Sequence, residues 1–193
     1  TVRTFGGNDW VRGGLGKDTI DTGDGDDWLQ GDGGQDTLTS GNGYDRFVYN
    51  QLAIAGNVPT INAATGIGVT NLPDIILDFN LGEDQFALSS DLGLKNLQFQ
   101  SGNSNQIFGN SNVIILQDGF ANAAAAARAI QNNNAITADE GVFVYFNTTL
   151  GISRLVYSKD LSDGGDISVL ANLTNQKSLE GQQQLSSKNF TLV

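Results

Sequence analysis

Five aspartates fall at intervals of nine along the first quarter of the chain: Asp9, Asp18, Asp27, Asp36 and Asp45. A carboxylate is a hard oxygen donor, and the chain offers no softer ligand, because none of its 193 residues is histidine, cysteine or methionine. This excludes serine-histidine-aspartate and cysteine-histidine nucleophiles, histidine general bases, zinc fingers, iron-sulfur ligation and disulfide frameworks. A regular series of carboxylates suits a hard divalent cation. Calcium accepts six or more oxygens in flexible geometry, whereas magnesium keeps its waters and softer metals want nitrogen or sulfur, so the residues point to calcium.

The residues between the aspartates say what must position them. Rows of nine from Thr4 read TFGGNDWVR, GGLGKDTID, TGDGDDWLQ, GDGGQDTLT and SGNGYDRFV. Column six is aspartate throughout, column four is glycine (Gly7, Gly16, Gly25, Gly34, Gly43), and column eight is apolar (Val11, Ile20, Leu29, Leu38, Phe47). A flexible Gly/Asp linker need not keep phase, and five aspartates in one register arise by chance on the order of once in 10⁵. Each row reads as six turn residues followed by a three-residue strand, so two rows make a coil of 18 residues. One inward side chain per row gives only a thin core. It cannot offset the cost of ordering the backbone, roughly 1 to 2 kcal/mol per residue, so bound ions must supply the rest. Aspartates 18 apart face each other across one gap between turns. The register therefore predicts three sites, Asp9 with Asp27, Asp27 with Asp45 and Asp18 with Asp36, with Asp27 shared by two ions.

The rows resemble the GGxGxDxUx nonapeptide of the repeats-in-toxin (RTX) family, the calcium-binding parallel β-roll, over residues 4 to 48. The resemblance implies that loop carbonyls complete the shell, which carries over Gly7, Gly13, Gly14, Gly16, Gly23, Gly25, Gly31, Gly34, Gly41 and Gly43 as donors. Phe5 and Asp32 depart from the second glycine of the motif, and Thr4, Thr22 and Ser40 from the first. PDIILDF, from Pro73 to Phe79, followed by LGEDQFAL, resembles the segment after the roll in serralysin-type secreted proteases, where its first aspartate closes a terminal calcium site. Asp74 holds that position, as a ligand or as a turn or cap residue, although Ile54 stands where the next column-six aspartate would fall. Asp21, Asp24, Asp26 and Asp32 lie outside the ligand column and read as a solvated acidic face. KDLSDGGD, with Asp160, Asp163 and Asp166, lacks the glutamate of an EF-hand and reads as a turn.

The expected fold is mainly β: a calcium-binding parallel β-roll (1–49), an insertion loop (50–72) and a β-rich capping module with one or two helices (73–193). Strands are expected at DIILDF, DQFAL, LQFQ, QIF, NVIIL, GVFVYF and SRLVY, a helix at FANAAAAARAIQ capped by Asp118, and a shorter helix near DISVLANL. Column seven puts Trp10, Trp28 and Arg46 in line on one outer face, either binding sugar rings or, as the reading favoured here, covered by the C-terminal half. The stretch from Gly141 to Leu173 resembles the C-terminal bluetail region of cyanobacterial surface proteins that carry such repeats. The ending SSKNFTLV looks like an uncleaved type I secretion signal.

With 21 acidic against 10 basic residues the chain carries a formal charge of −11, which makes nucleic acid a poor partner. No stretch is apolar enough to span a bilayer as a helix. A start at Thr1 without methionine reads as a fragment or processed chain. The expected role is non-catalytic: a calcium-dependent folding and export module, binding three or more calcium ions, at the C-terminus of a larger secreted or cell-surface bacterial protein. Its partners would be the upstream domains and a type I exporter. The alternative is a glycan- or surface-binding module using the Trp10/Trp28 face. Glycoside chemistry at Asp139 and Glu140 is disfavoured, because adjacent residues on a strand point apart.

Overall fold

The computed structural model describes residues 1–54 and 57–193; Ala55 and Gly56, within the expected loop, lie outside the described residues. The nine-residue period becomes two stacks of short parallel strands. The odd rows give β2 (Trp10–Leu15), β4 (Trp28–Gly33) and β6 (Arg46–Tyr49), and β1 (Val2–Arg3), β3 (Thr19–Asp21) and β5 (Thr37–Thr39) form the opposite stack. Pairing advances by 18 residues per turn: Val11 opposite Leu29 opposite Phe47, and Val2 opposite Ile20 opposite Leu38. Column eight points inward, each of its five side chains being at most 6% exposed.

The turns demand left-handed backbone at columns two and four, and the non-glycine departures conform: Phe5 has φ 76° and Asp32 φ 65°. Asp32 is held there by Arg12, whose Nε and Nη2 donate to Asp32 Oδ2 at 3.0 and 2.8 Å, offsetting the backbone strain. At Gly34 the requirement is absolute, since with φ 133° a Cβ would overlap the Gly16 carbonyl oxygen of the turn before.

Both stacks continue past residue 49. After Tyr49 the chain makes a 3₁₀ turn, Gln51–Ala53, whose first amides are capped by Asn50. It then forms β7 (Thr60–Ile61), antiparallel to β8 (Gly68–Ile76). The segment 50–72 thus holds a helical turn, a short hairpin and the first half of a strand, where a loop was expected. β8 adds to β5 with Leu38 opposite Ile76, and β9 (Gln85–Leu88) adds to β6 with Phe47 opposite Phe86. Ile76 and Phe86 are fully buried and continue the inward column. Phe79 fills the space between the stacks, packed at 5.6 Å on Phe47 and stacked at 4.5 Å on Phe86.

From β8 the first sheet grows outward through β10 (Phe99–Gly102), β11 (Val113–Phe120), β12 (Gly141–Asn147), β13 (Ile152–Ser158) and β14 (Ile167–Leu173). Its order is β1-β3-β5-β8-β14-β13-β12-β11-β10. The second sheet runs β15-β9-β6-β4-β2, so the C-terminal stretch folds as β15 (Phe190–Leu192) alongside β9. One apolar cluster runs unbroken from Val11 through Phe47, Phe86 and Leu155 to Phe190. A second cluster, with Ile114, Phe143 and Val156, lies on the outer face under α1 (Ala123–Gln131).

Three local expectations are corrected. DISVLANL is β14 and not a helix, because it lies between β13 and β8 and its side chains divide between the two apolar clusters. QIF forms no strand; Ser104–Gln106 is a 3₁₀ turn that inserts Ile107 into the outer cluster. The cap of α1 is Asn122, which accepts from the Ala125 amide, while Asp118 accepts instead from the Ser104 amide and hydroxyl. The second helix is α2 (Leu179–Gln182), capped by Ser178.

This continuity predicts that a fragment of residues 1–49 stays unfolded by circular dichroism at calcium concentrations that fold the whole chain, because its last strands lack β8 and β9. Leu29→Asp should block the strand signal of the roll at any calcium concentration, since an unpaired charge in so thin a core costs several kcal/mol, on the order of the domain's whole stability.

Candidate metal centre

The aspartates of column six bond turn to turn. Asp27 Oδ1 accepts the Asp9 amide at 2.8 Å, Asp45 Oδ1 the Asp27 amide at 2.9 Å, and Asp36 Oδ1 the Asp18 amide at 2.8 Å. One oxygen of Asp27, Asp36 and Asp45 thereby satisfies a backbone donor. The Oδ2 atoms of these three, and Oδ2 of Asp9 at the start of the column, are buried with no hydrogen-bond partner among the described residues. An ionised carboxylate can only accept, and apart from the Ser40 hydroxyl near Asp45 no side-chain donor is set against these oxygens, so a cation is the partner that fits. The loops bring backbone carbonyls close to these carboxylates. A Cβ at Gly25, Gly34 or Gly43 would overlap the carbonyl oxygen of Gly7, Gly16 or Gly25 below, and one at Gly31 would occupy the place of Asp36 Oδ2. Among the described residues no three acidic side chains converge on one point, so any cation shell here combines pairs of carboxylates with backbone carbonyls.

The two lines of aspartates continue beyond the repeats. Asp74 Oδ1 accepts the Asp36 amide at 3.0 Å, which puts Asp74 next in the line Asp18-Asp36. Asp84 extends the line Asp9-Asp27-Asp45: its Oδ1 accepts the Asp45 amide at 3.3 Å and its Oδ2 the Asn80 amide at 2.7 Å. The sequence reading missed Asp84, although Gly82-Glu83-Asp84-Gln85-Phe86 repeats columns four to eight. It follows Asp74 by ten residues and Asp45 by 39, so a search at fixed period passes over it. Asp78, also missed, closes the last turn by accepting the Ser40 and Gly41 amides at 3.1 and 2.8 Å.

Burial first, then the neighbouring carboxylates, pushes Asp74 and Asp84 up to about 7, against the lowering effect of the amides they accept. Asp36 and Asp45 are raised for the same leading reason. The fully buried Tyr49 hydroxyl, held well above its ordinary range by burial and by Asp74, stays protonated and adds no negative charge to this end of the roll.

The outer aspartates do more than solvate a face. Asn8 Oδ1 accepts the Asp26 amide and Asp26 Oδ1 the Tyr44 amide, both at 3.0 Å, a second ladder one column outside the first. Asp24 accepts from the Asn42 side chain at 2.8 Å, and Asp21 pairs with Arg3 at 3.0 Å. Asp160 accepts the Asp163 amide within a turn, as the spacing predicted. Trp10 and Trp28 lie 5.8 Å apart, and Arg46 sits 5.0 Å over Trp28. The expected cover over this face is absent at Trp10, which is 72% exposed, because the C-terminal half extends the roll lengthwise instead of folding back along it. Asp139 and Glu140 are exposed at the start of β12.

The raised carboxyls give the metal-free fold a defined pH dependence. Folded Asp74 and Asp84 keep their protons between about pH 4 and about pH 7, where the unfolded chain has released them. Their contribution to stability is full below about pH 4 and is lost as pH rises through about 7. In chelator, strand content by circular dichroism should therefore be higher at about pH 5 than at about pH 8. Equal content would contradict the burial of these two carboxyls.

No curated protein matches the chain. Residues 3–38 and 12–47 match the RTX calcium-binding nonapeptide repeat, in four copies. Such repeats bind calcium, and they are structural rather than catalytic. The 18-residue register, the buried unpaired carboxylate oxygens and this match converge on one assignment: residues 3–47 are RTX calcium-binding repeats folded as a parallel β-roll.

Proposed function

We propose that the chain is a calcium-set folding module of a larger secreted or surface protein, in which the gaps between successive turns each hold one ion. The carrying observation is the row of buried, partnerless Oδ2 atoms at Asp9, Asp27, Asp36 and Asp45. The ligating carboxylates are those of Asp9 with Asp27, Asp27 with Asp45, and Asp18 with Asp36. Carbonyls of Gly7, Gly13, Gly14, Gly16, Gly23, Gly25, Gly31, Gly34, Gly41 and Gly43 supply the remaining oxygens. Asp74, next in line after Asp36, adds a fourth gap. Bound calcium supplies positive charge where the fold has gathered carboxylates it cannot pair.

Residues 4–48 carry nine acidic and three basic side chains, so without cations the stacked turns repel one another and glycine favours the open chain. Metal binding and folding are then one event. Extracellular calcium modules have dissociation constants of roughly 10⁻⁴ to 10⁻³ M, so the roll stays open in a calcium-poor cytosol, passes a type I exporter as an unfolded chain, and sets outside. Residues 73–193 cap its open end, since β8 and β9 occupy the positions of the next turn. Exposure of Trp10 favours a second reading, in which the Trp10/Trp28 face binds neutral surface glycan. Quenching or enhancement of tryptophan fluorescence by oligosaccharides would support it, and an unchanged spectrum would remove it.

Calcium titration of chelator-treated protein, followed by calorimetry and circular dichroism together, should show a cooperative gain of strand with about three or four ions bound. Full structure in chelator would overturn the reading. Asp27→Asn keeps an oxygen for the Asp9 amide but loses the charge shared by two gaps, so it should remove about two ions from the stoichiometry. Asp26→Asn should remove none, and equal losses would refute the register.

A further inference from the structure

The outer face of the first sheet carries a cation that no feature of the roll explains. Arg154 on β13 is 5% exposed, and its guanidinium lies across the strands toward β8. Nε donates to Asn172 Oδ1 at 2.7 Å, Nη1 to the Tyr145 hydroxyl at 3.2 Å, and Nη2 to Asn71 Oδ1 at 2.6 Å. All three partners are neutral. Among the described residues no carboxylate pairs with it, and neither residue outside that set is acidic. A guanidinium has five N–H donors, so one on each Nη is left over after these bonds. A buried charge without a counter-ion is expensive to maintain, and dipoles alone compensate it poorly.

Arg154 forms part of the wall of a cavity of about 670 Å³. The N-terminal end of α1 lines the same cavity through Asn122, Ala123 and Ala124. Asn122 caps the Ala125 amide, and the first-turn amides before it have no partner within the helix. The helix dipole therefore adds positive potential to the space that Arg154 faces. The rest of the lining mixes amides and hydroxyls, among them Asn62, Thr70 and Asn71, with the exposed apolar residues Val58, Ile61 and Leu72.

We propose that this cavity is a binding site for a sugar acid, whose carboxylate supplies the missing counter-ion to Arg154 and whose hydroxyls meet the amide-rich wall. Guanidinium is the side chain best matched to a carboxylate, and the free N–H on each Nη suits its two oxygens. Apolar side chains at the rim suit the C–H face of a pyranose ring, and the volume accommodates one or two rings. The site lies outside the roll and does not depend on the assignment of the calcium ligands.

The test is calorimetric titration of the full chain, with the same calcium concentration in cell and syringe, using sodium D-glucuronate, D-glucose and sodium acetate as probes. Glucuronate should bind measurably, glucose not at all, and acetate at least about tenfold more weakly than glucuronate. Arg154→Gln should abolish glucuronate binding. Because that residue is buried, Leu72→Glu provides a second arm: Leu72 is half exposed, so a carboxylate placed there leaves the fold intact while repelling the ligand, and Leu72→Gln should retain binding. No glucuronate binding, glucose or acetate binding as tight as glucuronate, or unchanged affinity in a folded Leu72→Glu variant would each overturn the proposal.

Discussion

The structure depends on how the carboxylates of Asp27, Asp36 and Asp45 divide their two oxygens. Oδ1 accepts the amide of the preceding turn, which fixes the distance between turns and keeps the 18-residue pairing in step. Oδ2 then lies in the interior of the gap, buried and without a hydrogen bond among the described residues. The same contact that stacks the turns thus creates the demand for a cation. A repeat with asparagine in column six could make the first bond without generating that demand, which is why the residue type matters beyond its hydrogen-bonding capacity.

Glycine acts in support of this arrangement. The turns approach so closely that a carbonyl of one lies where a side chain of the next would begin, as at Gly16 and Gly34, and the left-handed backbone required there is costly for other residues. Where a non-glycine residue stands in a left-handed position, a local interaction can compensate: Asp32 is tied down by Arg12 and by the Gln30 side chain. On the proposed reading, filling the gaps makes the roll rigid and leaving them empty makes it unfavourable, the physical basis of a switch set by calcium.

A stack of identical turns has open ends, and this chain closes one of them by changing sequence while keeping geometry. Ile76 and Phe86 take the inward places after Leu38 and Phe47, and Asp74 and Asp84 take the amide-accepting places after Asp36 and Asp45. From β8 the sheet leaves the solenoid pattern and becomes a broad mixed sheet with a helix on its outer face. The transition falls at Leu72-Pro73, where the pairing of β8 with β14 shifts register; proline lacks the amide that an unbroken ladder would need. Calcium binding in the repeats and packing in the C-terminal half are joined through one core.

The sequence by itself determined the repeat: its period, its inward column, the aspartates that stack and the class of ion they suit. All of these follow from short-range rules, since each row contains its own turn, strand and carboxylate. Tertiary structure decided what no fixed spacing encodes. Asp84 and Phe86 rejoin the roll after a detour whose length is set by the 50–72 excursion, so only three-dimensional pairing reveals their place. DISVLANL has the composition of a helix, yet its position between two strands makes it β14. Asp118, a plausible cap by proximity to the alanine run, is drawn to Ser104 from a neighbouring segment. Arg154 carries no signal in the sequence at all. Its isolation is a property of the three other strands, β8, β12 and β14, that supply its partners, because whether a charge is paired depends on what the fold brings within reach, and that is a long-range fact.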